Sequence, residues 1–146
     1  MKVIITENNE ITEVSVEIHC AETDSDILKL RNFISNYDEH IEATCEGETL
    51  YVDLSEILYF ESVDNKTFLY TEDRVLGTSM KLYELELRLS DKDFFRCSKS
   101  VILNLRKVKK VKPEMTRNIL VTLSNEEIVV ISRRYAQAFK KLLEEA

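Results

Sequence analysis

Glycine is nearly absent: only Gly47 and Gly77 occur in 146 residues, so no glycine-rich loop can wrap a phosphate at close backbone range. Histidine is as scarce, and neither His19 nor His40 has a partner at a spacing that makes a ligand pair or a general base. Ser62 after Glu61 also lacks a histidine companion, so the chain holds no catalytic constellation and no enzyme activity is expected. The three cysteines, Cys20, Cys45 and Cys97, are odd in number and lack metal-ligand spacing. They read as buried or incidental thiols, with no disulfide framework, no metal and no cofactor. No apolar run is long enough for a membrane span. Val3-Ile4-Ile5 after Met1-Lys2 is too short for a secretory signal, and the protein is expected in the cytoplasm.

What is present is the material of one ordinary domain, or one domain with a small appendage: 44% hydrophobic and 32% charged residues, with net charge −7. That charge is unevenly placed. Residues 1–46 carry −8, whereas residues 47–146 sum to +1. Within the second part, residues 96–117 gather Arg96, Lys99, Arg106, Lys107, Lys109, Lys110, Lys112 and Arg117 against the single acid Glu114. Val101, Leu103, Leu105, Val108 and Val111 punctuate the run, so one side can be core while the other faces a partner. A disordered basic tail would lack that spacing. Phosphate suits such a surface, which also offers Ser98, Ser100 and Asn104; a solvated charged face is the plainer reading.

Val14, Val16, Ile18 and Cys20 alternate with Glu13, Ser15, Glu17 and His19, the period-two pattern of a strand. With a first strand at 2–6, a helix from Asp24 to Tyr37 opened by Thr23-x-x-Asp26, and a strand from Ile41 to Cys45, residues 1–46 read as a small acidic β-β-α-β unit ending at Gly47. Short strands follow at 50–53, 57–62, 67–70 and 75–78, with turns near Asp64-Asn65 and Glu72-Asp73. A helix capped by Ser79 carries Leu82, Leu85 and Leu89, and a strand from Phe94 to Cys97 leads into the basic island, which Pro113 breaks. The last hairpin pairs 119–123 with 127–131 around Ser124-Asn125. A terminal helix then starts after Ser132 with Tyr135, Phe139, Leu142 and Leu143 on its apolar face. Arg133 and Arg134 fall in its first turn, where the helix dipole disfavours cations, and contact with an anion explains them.

Four separated stretches carry a resemblance: Ile57-Leu58-Tyr59-Phe60-Glu61-Ser62, Tyr83-Glu84-Leu85-Glu86, Phe95-Arg96-Cys97-Ser98-Lys99-Ser100 with Asn104-Leu105, and Val130-Ile131-Ser132-Arg133-Arg134-Tyr135. In order and spacing they resemble the LytTR DNA-binding domain, over roughly residues 47–146. The resemblance implies an α+β fold: a mostly antiparallel β domain with short helices and a C-terminal helix, here preceded by the β-β-α-β unit. It also implies a bacterial transcription regulator that places loops, not a recognition helix, in successive major grooves of double-stranded DNA. The absence of a helix-turn-helix signal agrees. Where many relatives have Arg-x-His-Arg-Ser, this chain has Arg96-Cys97-Ser98-Lys99-Ser100, so no imidazole contact carries over. That version, without a receiver domain, looks most like small stand-alone regulators, which implies promoter repeats, a homodimer on DNA and an inhibitory membrane protein as partners.

Carried onto this chain, the family pattern names three sites. They are Asn65 and Lys66 after Glu61-Ser62; Ser98, Lys99 and Ser100; and Arg133 with Arg134, of which Arg134 is expected at a base and Arg133 at a phosphate. Arg106 and Lys107 join them as basic-island contacts. Arg96 stays open between DNA and a buried acid such as Glu61, and Asn104 between the site and a turn-forming core role. Tyr59, Phe60, Phe68, Phe94 and Phe95 read as core, not stacking platforms. The competing function is a protein-interaction module whose basic face docks an acidic partner, and residues 1–46 are expected to make protein contacts or to complete the core.

Overall fold

In the computed structural model, which describes residues 1–37 and 39–144, the alternation read from the sequence becomes two antiparallel sheets. The first joins β1 (His40–Cys45), β2 (Glu48–Asp53), β3 (Tyr59–Val63), β4 (Lys66–Tyr70), β5 (Val75–Thr78), β6 (Phe94–Arg96) and β7 (Val101–Asn104) in the order β2-β1-β5-β4-β3-β7-β6. The second is a meander of β8 (Val108–Pro113), β9 (Ile119–Leu123) and β10 (Ile128–Ile131). Three helices accompany them: α1 (Ser25–Ser35), α2 (Leu82–Arg88) and α3 (Arg133–Glu144). This is the expected α+β class. No helix among the described residues is long and apolar enough to cross a membrane.

Turn chemistry sets the registers. Asp64 and Asn65 both have positive φ, 51° and 64°, the left-handed pair that a two-residue hairpin needs and that short polar side chains tolerate. They fix β3 on β4 with Val63 opposite Lys66. Gly47, at φ 82°, closes the β1–β2 hairpin, where open space surrounds the missing Cβ, so backbone conformation and not crowding calls for glycine.

β7 ties the two cores together. All four of its residues are buried. Ile102 packs with Phe60, Leu69 and Leu85 of α2 on one side, while Val101 and Leu103 pack with Val121, Ile131 and Phe139 of α3 on the other. Val101, Leu103, Leu105 and Val108 thus share one core, as the alternation predicts, but the opposite face of β7 is buried through Ile102 and is not turned to a partner. A central strand covered on both sides has no solvent face for charge.

The caps differ from the sequence reading. Asp24, not Thr23, caps α1, its carboxylate accepting from Ile27 N at 2.9 Å. α2 starts after Lys81 instead of Ser79, and Glu84 reaches back to Lys81 N at 3.1 Å. Glu84 occupies the third helical position, where a carboxylate can satisfy a free amide of the first turn.

The β-β-α-β unit is corrected more substantially. No strand forms at 2–6 or 13–20; residues 1–23 hold a turn in which Ile11 N donates to Asn8 O, and Val14 is 92% exposed. Among the described residues, no strand pairing joins them to either sheet. A lone pair of strands has too little to bury, and no third strand is offered. What remains is α1 followed by β1, and β1 pairs with both β2 and β5. Residues 40–45 are thus hydrogen-bonded into the first sheet, and Gly47 is a hairpin turn within it. α1 buries none of its residues and is held by polar contacts: Asn32 Nδ2 to Asp93 Oδ1 at 2.9 Å and Asn36 Nδ2 to Lys92 O at 3.1 Å.

Candidate nucleic-acid interface

Strand direction decides which loops meet. β3 and β7 run antiparallel with Glu61 opposite Val101, and beyond that pair Ser62 N donates to Ser100 O at 2.8 Å. The β3–β4 turn, with Asn65 and Lys66, therefore lies beside the loop from Cys97 to Ser100. On the loop's other side Cys97 O accepts from Ser132 N at 2.9 Å, which brings in the first turn of α3. Asn118 Oδ1 then accepts from Arg133 N at 2.9 Å, adding the turn between β8 and β9. Three of the expected sites form one continuous ridge.

The ridge presents cations to solvent. Lys66, Lys99, Arg133 and Arg134 are exposed, and none makes an ion pair among the described residues. Arg134 lies over the Tyr135 ring at 5.9 Å, which orients its guanidinium without neutralising it. Two cations at the start of a helix oppose its dipole, and an anion bound there removes the conflict.

Arg96 resolves the alternative left open above. Its Nη1 pairs with Glu86 Oε2 at 2.7 Å, its Nε donates to Ser98 O at 2.7 Å, and its Nη2 donates to Lys99 O. The acid is Glu86, not Glu61, which accepts instead from Tyr70 OH at 2.8 Å. With three of its five N–H donors engaged inside the domain, this guanidinium shapes the loop. Ser98 Oγ accepts from Ser100 N at 3.2 Å, and the two hydroxyl oxygens stand 3.5 Å apart, so both serines are half turned into their own loop. Lys99 alone of the three projects fully.

The loop rests on buried chemistry. Cys97 is fully covered, its Sγ 3.6 Å from Val101 O, and burial pushes the thiol up to about 12. Tyr59 stacks on Tyr70 at 4.2 Å. Burial, then the bond to Glu61, pushes the Tyr70 hydroxyl up to about 12. Burial, then the neighbouring Glu127 carboxylate, raises Tyr59 as well. Tyr59 packs against the second core, as expected, whereas Tyr70 is half-buried and belongs to neither core cluster.

Arg106 and Lys107 are not brought to the ridge. They follow the opposite end of β7, about 13 Å of strand away from Ser100. Arg106 is used locally: Nη1 lies 3.5 Å from Asp93 Oδ2 and 3.3 Å from Lys29 O, and the guanidinium covers the Phe33 ring at 5.3 Å. The Lys107 carbonyl accepts from Ser124 N at 2.9 Å. Asn104 has the turn-forming core role: it is 2% exposed, donates to Ile57 O at 2.8 Å and accepts from Arg106 N at 3.0 Å. Conversely, the ridge includes residues that the sequence reading passed over. Asn118 Oδ1 accepts from Arg133 N and Lys81 Nζ donates to Asn65 O at 3.3 Å, while Arg117, counted before only within the basic island, sits at φ 71° in the neighbouring turn. The hairpin after Pro113 was the available signal, since it must return the chain to the end where α3 begins.

Comparison with known proteins gives the family of the chain. Residues 47–144 match the family described as the LytTr DNA-binding domain. The chain is 25% identical over 145 residues to an uncharacterized HTH-type transcriptional regulator of Staphylococcus aureus, spanning 98% of both proteins. It is 29% identical over 110 residues to the sensory transduction protein LytT of Bacillus subtilis, covering 75% of this chain and 46% of that protein. Among solved structures, the LytTr DNA-binding domain of a response regulator from Bacillus cereus superimposes with a TM-score of 0.69 at 29% identity, covering 73% of this chain and 97% of that one.

Proposed function

The chain belongs to the LytTR DNA-binding domain family, and from that premise we propose that it is a sequence-specific regulator of transcription that reads double-stranded DNA through loops in the major groove. The observation that carries the reading is the ridge itself: three loops from distant parts of the chain converge and leave Lys66, Lys99, Arg133 and Arg134 without acidic partners among the described residues. Lys99 and Arg134 are the groove residues, Lys66 and Arg133 hold phosphates, and Arg96 positions Lys99. Arg at a guanine edge gives a bidentate contact, whereas Lys supplies a point charge, so Arg134 carries more of the base selectivity. One ridge reads one half-site, and two copies on a repeat would supply a full operator.

Competition binding on promoter fragments against a random duplex, at several salt concentrations, tests this. With about two phosphates neutralised per copy, by Lys66 and Arg133, log affinity falls with a slope of about −1.8 per copy against log salt. A flat salt dependence, or equal affinity for every duplex, favours the rival reading of a basic face for an acidic protein.

A further inference from the structure

The segment that failed to form a strand is the least satisfied part of the molecule. Val3, Ile4, Ile5, Ile11, Val14 and Val16 are all more than half exposed. Among the described residues, no backbone hydrogen bond joins residues 1–23 to either sheet. From Glu13 to Cys20 the alternation still gives an apolar edge of Val14, Val16 and Ile18 and a polar edge of Glu13, Ser15 and Glu17. Such a segment is a strand in want of a ladder.

The fold has four end strands, and charge separates them. β2 begins and ends with acids, Glu48 and Asp53; β10 is preceded by Glu126 and Glu127; β6 has three residues. β8 is six residues long and carries lysines. Its register sets Val111 opposite the core residue Val121, with Lys110 and Lys112 on the other face opposite Thr122 and Leu120. Val111 is 36% exposed, and Lys110 and Lys112 are exposed. A strand laid on this edge needs apolar residues on one face and acids on the other, which is the pattern of residues 13–18.

We propose that residues 13–20 of one copy add as a strand to the open edge of β8 in a second copy, and that the exchange is reciprocal. The two elements stand open together in the single chain, so neither covers the other there. A two-fold pair satisfies both at once, each copy giving its arm and receiving one. With Val14 opposite Val111 in an antiparallel register, Glu13 faces Lys112, and Glu17 lies on the same face as a diagonal neighbour of Lys110. The inference goes beyond DNA recognition and does not rest on it.

The solution mass of the full chain, by light scattering across a dilution series, tests the exchange, with circular dichroism confirming that each variant is folded. The parent chain is expected to be a dimer. Val14→Asp with Val16→Asp, which places carboxylates on the apolar edge, yields a monomer. Lys110→Glu with Lys112→Glu raises the dimer dissociation constant by about tenfold or more, as does Glu13→Lys with Glu17→Lys. Combining both charge reversals restores the dimer, since the pairs are remade with opposite sign. A monomeric parent, a dimer indifferent to the reversals, or a combined variant that stays dissociated overturns the proposal.

Discussion

The two ends of β7 are a natural pair for comparison, because the sequence loads both with basic residues and the fold uses them in opposite ways. At the start of the strand, Arg96 is spent on Glu86 and two loop carbonyls, and Lys99 is left projecting beside Lys66, Arg133 and Arg134. Past its end, Arg106 lies against α1 and Asp93, and Asn104 joins three backbone groups of its surroundings. Local charge therefore does not decide which cations stay free. What matters is whether neighbouring acids and carbonyls have already claimed the donors.

The comparison is broken most easily at the buried end. Asn104→Ala leaves Ile57 O and Arg106 N without their side-chain partner inside the core, at a cost of about 2–3 kcal/mol in unfolding free energy. Chemical denaturation measures that loss. DNA affinity of the folded protein should be unchanged, and a parallel loss of affinity would mean the two ends are coupled. At the other end, Lys99→Ala and Arg134→Ala should each weaken operator binding by about 1–3 kcal/mol and relax one operator position, with thermal stability retained. Arg106→Ala is the matched control: it should lower stability modestly and leave both affinity and salt slope as they were.

Much of this division was out of reach of the sequence, and the reason is directional. The hairpins at Asp64-Asn65 and Ser124-Asn125 were legible because turn residues and period-two alternation are local signals, and α3 because Ser132 precedes a clear apolar face. Counting charges from 96 to 117 treats them as one surface. Yet a buried four-residue strand carries its two flanks to opposite ends of the domain, so Lys99 and Arg106 part company. Arg96 could not be assigned because two of its acceptors are carbonyls of its own loop. Residues 13–20 fail differently: alternation reports a face that needs covering, whereas a strand exists only where a partner supplies the ladder.

Arg96→Lys sharpens the comparison at intermediate size. A lysine keeps the charge and can still meet Glu86, but it lacks the fork that holds Ser98 O and Lys99 O together. The loop loosens, and ordering it on DNA should weaken operator binding by about 1 kcal/mol. With the guanidinium committed to Glu86 and the loop carbonyls, removing its charge in Arg96→Gln should leave the salt slope of the parent, whereas Lys66→Ala should lower it by about 1. A reduced slope for Arg96→Gln would return Arg96 to the DNA contacts.

The smallest effect is confined to alkaline solution and sharpens the contrast from beneath the ridge. Cys97 is raised from an ordinary 9.0, and Tyr70 from 10.0, each to about 12. Burial is the first cause for both, followed at Tyr70 by the bond to Glu61. Tyr59 is raised in the same sense. All three hold their protons more tightly folded than unfolded, so their contribution to stability is complete below about pH 9 and is lost as pH rises toward 12. The denaturation midpoint should stay level up to that lower limit and then fall. Tyr70→Phe removes one titrating hydroxyl and should make the alkaline decline shallower, at the price of the Glu61 hydrogen bond at neutral pH. Asp93 and Arg106, at the far end, should leave the alkaline slope untouched when changed. Thiol labelling gives the companion measurement: exposed Cys20 should react in the native protein, while Cys97 should react at the rate of global unfolding. Rapid native labelling of Cys97 would show that the floor under the Ser98–Ser100 loop opens on its own.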